Sequence, residues 1–554
     1  MSMKRTLLTG ALVGLMLTAA LTAIFYVAGQ LFGLPFVPFD VFDGFARVEQ
    51  LGGLITFGID TLVSVITALG GELRTAAKPA EQSMAIVGLI MTGVVTAAAL
   101  FGILRRRAAE EGARAGLLAG AVVGAPVVLV SHSLNQPDMP GLIINTLWIL
   151  GAFLAWGWAL GRVYERVCAP VAAAGHAAGA FGTGDLPAVR PPASVEVIDR
   201  RHFLIRLGGA TAAITVAGAG LGSLIHTQRE AQRRALLEQW MGVTLPEGLP
   251  NAGDPLIPAP GTRPEYTPLD DHYQIDINTR PPEVDPETYR LAITGLVDKP
   301  LSLTLDDLRA YSSMDQYVTL ACISNPIAGD LISTTRWTGV SLKRVLADAG
   351  VQPGAKVVNM RSADGFHEAV SLDLINRDER VMLTYAWDGQ PLRPRHGFPL
   401  RIYIPDRYGM KQPKWLTDMV VSDVEEEGYW VRRGWDPVAQ MITVSVIDTV
   451  AVESLIEADG QTLVPIGGIA HAGARGISKV EVQIDDGAWV EAQRRAPLSG
   501  TTWVIWRYDW PFEAGAHRFR VRCYEGDGAP QPEQPPRGGH LSGAAGIHLV
   551  RKTL

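Results

Sequence analysis

Apolar residues dominate the first 225 positions of the chain and then give way to short alternating runs. Five apolar stretches, roughly 6–29, 84–104, 116–134, 142–161 and 203–225, reach the roughly 20 residues that a helix needs to cross the hydrocarbon core of a bilayer. A sixth, 51–70 (LGGLITFGIDTLVSVITALG), carries Asp60 near its centre and several glycines. Cytoplasmic loops are enriched in Lys and Arg. Lys4 and Arg5 therefore place the N-terminus inside, and Arg105, Arg106 and Arg107 place the end of 84–104 inside as well. An even number of crossings must separate them, so the pattern predicts that 51–70 is a re-entrant or interfacial segment on the outer side. The alternative is a sixth span. The loop 133–141 then falls outside, and Arg162, Arg166, Arg190, Arg200 and Arg201 fall inside. The stretch 203–225 carries the remaining chain out.

Residues 168–198, rich in Ala, Gly and Pro, read as a cytoplasmic linker. Residues 241–268 are dense in Pro and Gly and cannot sustain a helix or a central strand, so they read as a connector or a surface wrap. Beyond them come β-like runs such as YRLAITG, YVTLA, KVVNMRS, VMLTYAW and PLRIYIP, with short helical patterns at SLKRVLADAG and SLDLINR. That mixed order predicts an α+β domain. From 440 onward the pattern is β throughout, with turn residues at the spacing of a sandwich. The expected organisation is multidomain: a transmembrane helix bundle over 1–165, a linker and last transmembrane helix over 166–240, the connector 241–268, the α+β domain 269–437 and an all-β domain 438–554.

Composition narrows the reading by exclusion. A net charge of −7 and the absence of a basic stripe interleaved with aromatics argue against nucleic acid as a partner. Three cysteines, Cys168, Cys322 and Cys523, are too few and too scattered for a disulfide framework. No CxxC or Cys/His cluster suggests zinc or an iron–sulfur centre, and no haem-attachment motif is present.

The chemistry concentrates in Tyr317–Leu346 (YVTLACISNPIAGDLISTTRWTGVSLKRVL), where Cys322 ends an apolar run and Asn325, Pro326 and Gly329 turn the chain. This stretch resembles the metal-binding segment of the sulfite-oxidase-fold molybdopterin oxidoreductases. Two further stretches carry the same resemblance. They are PLDDHYQIDINTRPPEVDPETYRLAITGLVDKP and, over a long gap-free run, LTYAWDGQPLRPRHGFPLRIYIPDRYGMKQPKWLTDMVVSD. The resemblance implies a molybdenum–molybdopterin cofactor. Molybdenum held by a dithiolene is soft enough to favour a protein thiolate, and the family implies Cys322 as that metal ligand. A cofactor phosphate needs cations and N–H donors. The family pattern places His396 and Arg401, within HGFPLR, and Gln412, Pro413 and Lys414 against the cofactor. Asp270, Tyr273, Gln274 and Asp364 align with further contacts.

Two departures bear on the substrate. Sulfite oxidases carry an arginine five residues after the ligand cysteine, where Ile327 stands here, and a tyrosine near the metal, where Phe366 stands with His367 and Glu368 beside it. A cation for an oxyanion and a phenol for proton relay are thus missing. Arg336, Arg361 or Arg407 could supply the cation, and His367 or Glu368 the relay, so Phe366 and His367 join Cys322 as candidate catalytic positions. The C-terminal domain resembles the immunoglobulin-like sandwich of the same family, where it often forms a homodimer contact. Arg200–Arg201, with Phe203 and Leu204 behind them, resemble an internal twin-arginine export signal. The implied activity is two-electron oxygen-atom transfer on a small-molecule substrate outside the cytoplasm, at the plasma membrane, with electrons exchanged with a cytochrome or quinone. A catalytically inactive sensor or assembly subunit on the same scaffold is the competing reading.

Overall fold

The structure, a computed structural model, describes residues 2–107, 111–134, 141–168, 200–239, 248–535 and 542–554. Most of the expected linker, most of the loop 133–141 and the start of the connector lie outside those residues. Packing divides the chain into two units, Met1–Phe45 with Glu81–Arg233, and Ala46–Ala80 with Arg234–Leu554.

The first unit is helical: α1 (Met3–Phe32), α2 (Val37–Ala46, through Phe45), α4 (Leu73–Arg106, from Glu81), α5 (Gly112–Leu134), α6 (Leu142–Val167) and most of α7 (Arg200–Gln239). Gly112, Gly116, Gly120 and Gly124 recur every fourth position and form one small-residue face of α5. A Cβ on Gly116 would lie 2.1 Å from the Gly157 carbonyl oxygen, so only glycine lets α5 and α6 approach this closely. Polar side chains inside the bundle are paired: Trp156 Nε1 donates to Thr18 Oγ1 at 3.1 Å, and Ser131 Oγ to Asp40 Oδ2 at 2.7 Å. Among the described residues, six helices are long and apolar enough to cross a membrane, by length and composition. One of them covers 49–68, the segment expected at the interface, and the packing assigns it to the other unit.

In the second unit two sheets share one core. The first has the order β2 (Leu301–Leu303), β1 (Leu291–Gly295), β10 (Leu416–Ser422), β5 (Val357–Ser362), β6 (His367–Ser371), with β1 and β10 parallel. The second runs β3 (Met314–Ala321), β4 (Ile332–Ser341), β7 (Met382–Trp387), β8 (Gln390–Pro391), and β9 (Arg401–Tyr403) also pairs with β7. Leu291, Ile293, Val358, Met360 and Met419 from the first meet Val340, Leu383 and Ile402 from the second. Every residue of β4 is buried, including its polar ITTR-like half. That burial is tolerable because its polar groups are paired: Thr334 N–H donates to Thr267 Oγ1 at 3.0 Å, Thr319 and Thr334 hydroxyls bond each other, and Trp337 Nε1 donates to Thr335 Oγ1.

C-terminal to these, two antiparallel sheets close on a second core built from Val464, Ile466, Val504 and Trp506 on one side and Val480, Val482, Phe519, Val521 and Cys523 on the other. The connector wraps this sandwich: Arg263 pairs with Asp448 at 2.7 Å and Glu265 with Arg495 at 3.0 Å. Residues 46–80 belong to the same unit and bring α3 (Gly52–Ala68) and the first turns of α4 onto the α+β domain. Ile66 and Leu73 are buried in one cluster with Val318, Leu320, Cys322 and Leu331, and Leu62 and Val63 pack against it.

Gly339 tests how tightly β4 is held against β7. A Cβ there would sit 2.2 Å from the Leu383 carbonyl oxygen, backbone that cannot step aside. Gly339→Val is expected to destabilise the α+β domain by about 1–3 kcal/mol or more, read as a lower unfolding midpoint of the purified protein. An unchanged midpoint would show that the strands can separate.

Candidate active site

Cys322 follows β3 directly, and the turn after it is closed by the residues the sequence pointed to. The Cys322 N–H donates to Leu331 O at 2.9 Å, Asn325 N–H to Cys322 O at 3.1 Å, Gly329 N–H to Pro326 O at 2.9 Å, and Leu331 N–H to the Asn325 side-chain oxygen at 2.8 Å. The thiol is buried, 3.0 Å from Ser324 Oγ. Burial raises its pKa, with Ser324 and the Lys414 ammonium acting against that rise. Without a metal it is therefore a neutral thiol. Among the described residues no three His, Cys, Asp or Glu side chains gather as a metal site, so a metal at Cys322 needs its other ligands from a bound group.

The cation side is built from β9 and the turns flanking it. His396 ends a short turn, Pro394–His396, and Arg401 opens β9. The Arg401 guanidinium is 4% exposed, lies 4.6 Å over the Trp337 ring, and donates to His396 O at 3.0 Å. His272 sits against His396, Trp387 and Trp337, with ring centroids 5.1, 5.0 and 6.2 Å away. Burial pushes His272 down to about 3 and His396 well below the usual imidazole range, so both rings are neutral at pH 7. Burial likewise lowers Arg401 to about 10 and Lys414 to about 8, the latter despite the neighbouring Asp276 carboxylate.

The other sequence-derived positions divide. Tyr273 is buried, and its N–H donates to Ser333 Oγ at 3.1 Å. Gln274 donates to Asp276 Oδ2 at 2.9 Å. Lys414 Nζ donates to Ile275 O at 3.0 Å and to Asp276 Oδ2 at 3.2 Å. Gln412 is buried and donates to Arg407 O at 2.6 Å, and Pro413 O accepts from Ile402 N–H at 3.2 Å. Asp364 is buried, with Phe366 N–H donating to it at 3.0 Å. Asp270 stands apart: it is exposed and paired with Arg393 at 2.6 Å, whereas Leu269 before it and His272 after the turn are buried. Phe366 is buried against Tyr429, ring centroids 5.5 Å apart, and His367 lies 5.9 Å from the same ring. The three arginines weighed as replacement cations are engaged elsewhere: Arg336 with Asp315 at 3.0 Å, Arg361 with Glu426 at 2.9 Å, and Arg407 with Asp406 at 3.8 Å. Glu368 is paired with Lys411, both buried.

His272, Asp276, Asn278, Arg47 and Lys78 were not singled out from the sequence. His272 and Asp276 flank the aligned Tyr273–Gln274 pair and could have been found by asking which residues near it are able to pair with Lys414. Arg47 and Lys78 gave no such signal.

This arrangement fits an anionic, acceptor-rich group. Arg401 Nε–H, Trp387 Nε1–H and the Asn278 side-chain amide nitrogen are buried donors with no protein partner; His272 Nε2, left as an acceptor because Nδ1 donates to Tyr273 O, is unpaired as well. A buried donor left unpaired costs about 1–3 kcal/mol, and several donors around one buried guanidinium specify a ligand that accepts from them. The cofactor's phosphate has that chemistry, and the thiolate chemistry of Cys322 suits its metal.

Asp364 makes a pH prediction. Burial raises its carboxyl to about 6, above the roughly 3.9 of an unfolded chain. The folded state is thus favoured below about pH 4, and this advantage is lost as pH rises through 6, amounting to about 2–3 kcal/mol. In cofactor-free protein, Asp364→Asn is expected to unfold at a higher temperature than wild type at pH 7, the two converging below pH 4. Parallel curves across that window would remove the assignment.

Comparison with known proteins agrees with the geometry. The family model described as oxidoreductase molybdopterin binding domain matches residues 278–430. The chain is 31% identical over 286 residues to human mitochondrial sulfite oxidase, covering 44% of this chain and 52% of that protein. It is 30% identical over 154 residues to a chain provisionally named as a protein-methionine-sulfoxide reductase subunit in Azospira oryzae, covering 28% of this chain and 56% of that one. Among solved structures, the sulfane dehydrogenase SoxCD of Paracoccus pantotrophus is similar at 22% identity and a TM-score of 0.45, over 57% of this chain and 88% of that one. The chain spans about half the length of the mammalian sulfite oxidases it matches, 52% for the human protein. Residues 278–430 form a molybdopterin-binding oxidoreductase domain, and the cofactor this implies is molybdenum held by molybdopterin.

Proposed function

We propose that the protein is a membrane-anchored oxidoreductase that transfers an oxygen atom to or from a small extracytoplasmic substrate. It would exchange electrons in two-electron cycles with a separate cytochrome or quinone. The observation that carries this reading is a buried thiol, Cys322, in the same domain as a buried guanidinium, Arg401, that has no carboxylate partner among the described residues. When bound, the molybdenum cofactor supplies the redox change and the oxygen-transfer position. The residues of the chain divide the remaining work. Cys322 donates the thiolate. Arg401, Lys414 and the Trp387 and Asn278 side-chain N–H groups would hold the anionic end. Ile327, packed against the buried cluster of Tyr408, Met410 and Trp435, and Phe366 beside Tyr429 would exclude water.

That apolar lining, with Arg336, Arg361 and Arg407 all paired, supports a neutral oxygen donor or acceptor over an anion such as sulfite. The name of the Azospira relative points the same way.

For localisation, six helices long and apolar enough to span a bilayer support a multi-pass membrane protein, and the basic-residue pattern places the catalytic domain outside the cytoplasm at the plasma membrane. We read Glu49–Ala68 as interfacial. Ile59, Leu62, Val63 and Ile66 lie on the α+β domain, and Leu54, Phe57, Val65 and Leu69 are exposed apolar residues suited to lipid. The C-terminal sandwich is assigned as immunoglobulin-like and as the surface for a homodimer. Arg200–Arg201, at the start of α7, is assigned as the export signal for a domain folded around its cofactor.

Two outcomes test the reading. Cys322→Ser is expected to abolish turnover with artificial electron donors and to change the visible absorption of the molybdenum centre. Unchanged turnover would refute the ligand assignment. Ile327→Arg is expected to move the ratio of kcat/KM values for sulfite against a neutral sulfoxide or N-oxide about tenfold toward sulfite, about 1.4 kcal/mol in transition-state discrimination. No shift would mean that position 327 does not face the substrate.

A further inference from the structure

Residues 46–80 lie more than 190 positions before the molybdopterin domain, and the sequence gives them the look of a membrane segment. They nonetheless end inside its site. We propose that this segment is a working part of the cofactor site, in which Lys78 and Arg47 are positioning residues: Lys78 shares Asp276 with Lys414 and so leaves the Lys414 charge less than fully neutralised toward the anionic cofactor, and Arg47 holds the turn that carries Asp364. The inference rests on the cofactor binding where the preceding reading places it.

Lys78 Nζ lies 3.0 Å from Asp276 Oδ1 and donates to Asn278 O at 2.6 Å. The other oxygen of the same carboxylate is 3.2 Å from Lys414 Nζ. Asp276 is 1% exposed, and Lys78 and Lys414 are 12% and 11% exposed. One buried carboxylate therefore serves two ammonium groups, and the three together carry one surplus positive charge. Burial alone would raise the Asp276 carboxyl, but Lys414 and Lys78 outweigh it and hold it at about 2. With Lys78 removed, Asp276 would neutralise Lys414 alone, and the surplus beside Arg401 would fall by one charge in surroundings where charge is poorly screened.

Arg47 acts on the neighbouring strand end. Its guanidinium donates to Asp364 O at 2.6 Å and to the Asn278 side-chain oxygen at 3.2 Å. Gly365 leaves it the room: the residue has φ +82°, and a Cβ there would meet Arg47 at 3.2 Å.

The segment is held at both ends. Tyr429 OH donates to Ala46 O at 3.0 Å, and Arg433 to Arg47 O at 2.8 Å. At the other end Asp330, on the turn that carries Cys322, accepts from the N–H groups of Leu73 and Arg74 at 3.1 and 3.2 Å and so caps the start of α4. Between these hooks, Ile66 and Leu73 close over the cluster that contains Cys322.

The test uses the full-length protein in detergent and measures molybdenum and pterin bound per chain during prolonged dialysis, alongside the visible spectrum. Lys78→Met is expected to lose molybdenum about tenfold faster than wild type. Lys78→Arg should restore most of the retention, because it keeps the charge. Lys78→Met combined with Asp276→Asn should also recover retention relative to Lys78→Met alone, since Lys414 is then no longer neutralised. A purely structural role for Lys78 predicts no such recovery. Arg47→Met, at the other end of the segment, should accelerate loss as well, and it reads the same quantity if Lys78→Met does not yield folded protein. Retention equal to wild type in both Lys78→Met and Arg47→Met, or no recovery in the double variant, overturns the inference while leaving the cofactor reading intact. Wild-type protein without near-stoichiometric molybdenum overturns both.

Discussion

An arginine buried at 4% exposure with no carboxylate to pair it is the constraint on which the rest of the α+β domain depends. Burying an isolated charge costs several kcal/mol even after relaxation. The domain offsets part of that with the Trp337 ring face and the His396 carbonyl, and leaves the remainder as unpaired donors. Such a site is less stable empty than full, because a ligand that binds only the folded state adds its binding energy to folding. The neutral imidazoles of His272 and His396 follow from the same constraint. Beside Arg401 and Lys414, a further positive charge would be repelled as well as desolvated.

Local signals made part of this site legible. Cys322 could be placed because an apolar β run ends at it and Asn325, Pro326 and Gly329 force the turn, and the hydrogen bonds that close that turn are local ones. His396 and Arg401 lie five residues apart on one turn and strand, so their juxtaposition needs no long-range information. Asp270 shows the limit. A helical turn over Leu269–Asp271 turns its carboxylate outward to Arg393 and turns His272 inward, and no composition rule distinguishes those two outcomes across two residues. The buried polar strand β4 is a second case. Its threonines carry no local signal of burial, and only the pairing with Thr267 and Thr319, from elsewhere in the chain, makes full burial tolerable.

The substrate side follows from subtraction. Three arginines lie near enough in sequence to replace the missing anion-binding group, and each lies against an acid, Arg407 sharing Asp406 with Arg475. Ile327 packs against one apolar cluster, with Tyr408, Met410 and Trp435, and Phe366 against another, with Ile277 and Tyr429. Apolar surroundings of that kind discriminate weakly by size and strongly against charge, because an anion entering them loses its hydration without gaining a partner. The same exclusion of water strengthens every electrostatic interaction at the cation cluster, so the apolar lining and the unpaired guanidinium reinforce each other.

Helix α3 was the ambiguous element, and the ambiguity has a physical origin. Lipid and protein core both remove apolar side chains from water, so hydropathy cannot tell them apart. Ile59, Leu62, Val63 and Ile66 recur at helical spacing on one face and meet the α+β domain, whereas Leu54, Phe57, Val65 and Leu69 are left exposed. The difference between the two media lies in hydrogen bonding. Hydrocarbon offers no partner to a charged group, so a segment destined only for lipid gains nothing from an arginine before it and a lysine after it that both reach specific oxygens. Arg47 and Lys78 do reach them, at Asp364, Asn278 and Asp276, and Asp330 returns the favour by capping α4. The polar groups at its ends, more than its apolar middle, therefore decide that the segment serves the catalytic domain.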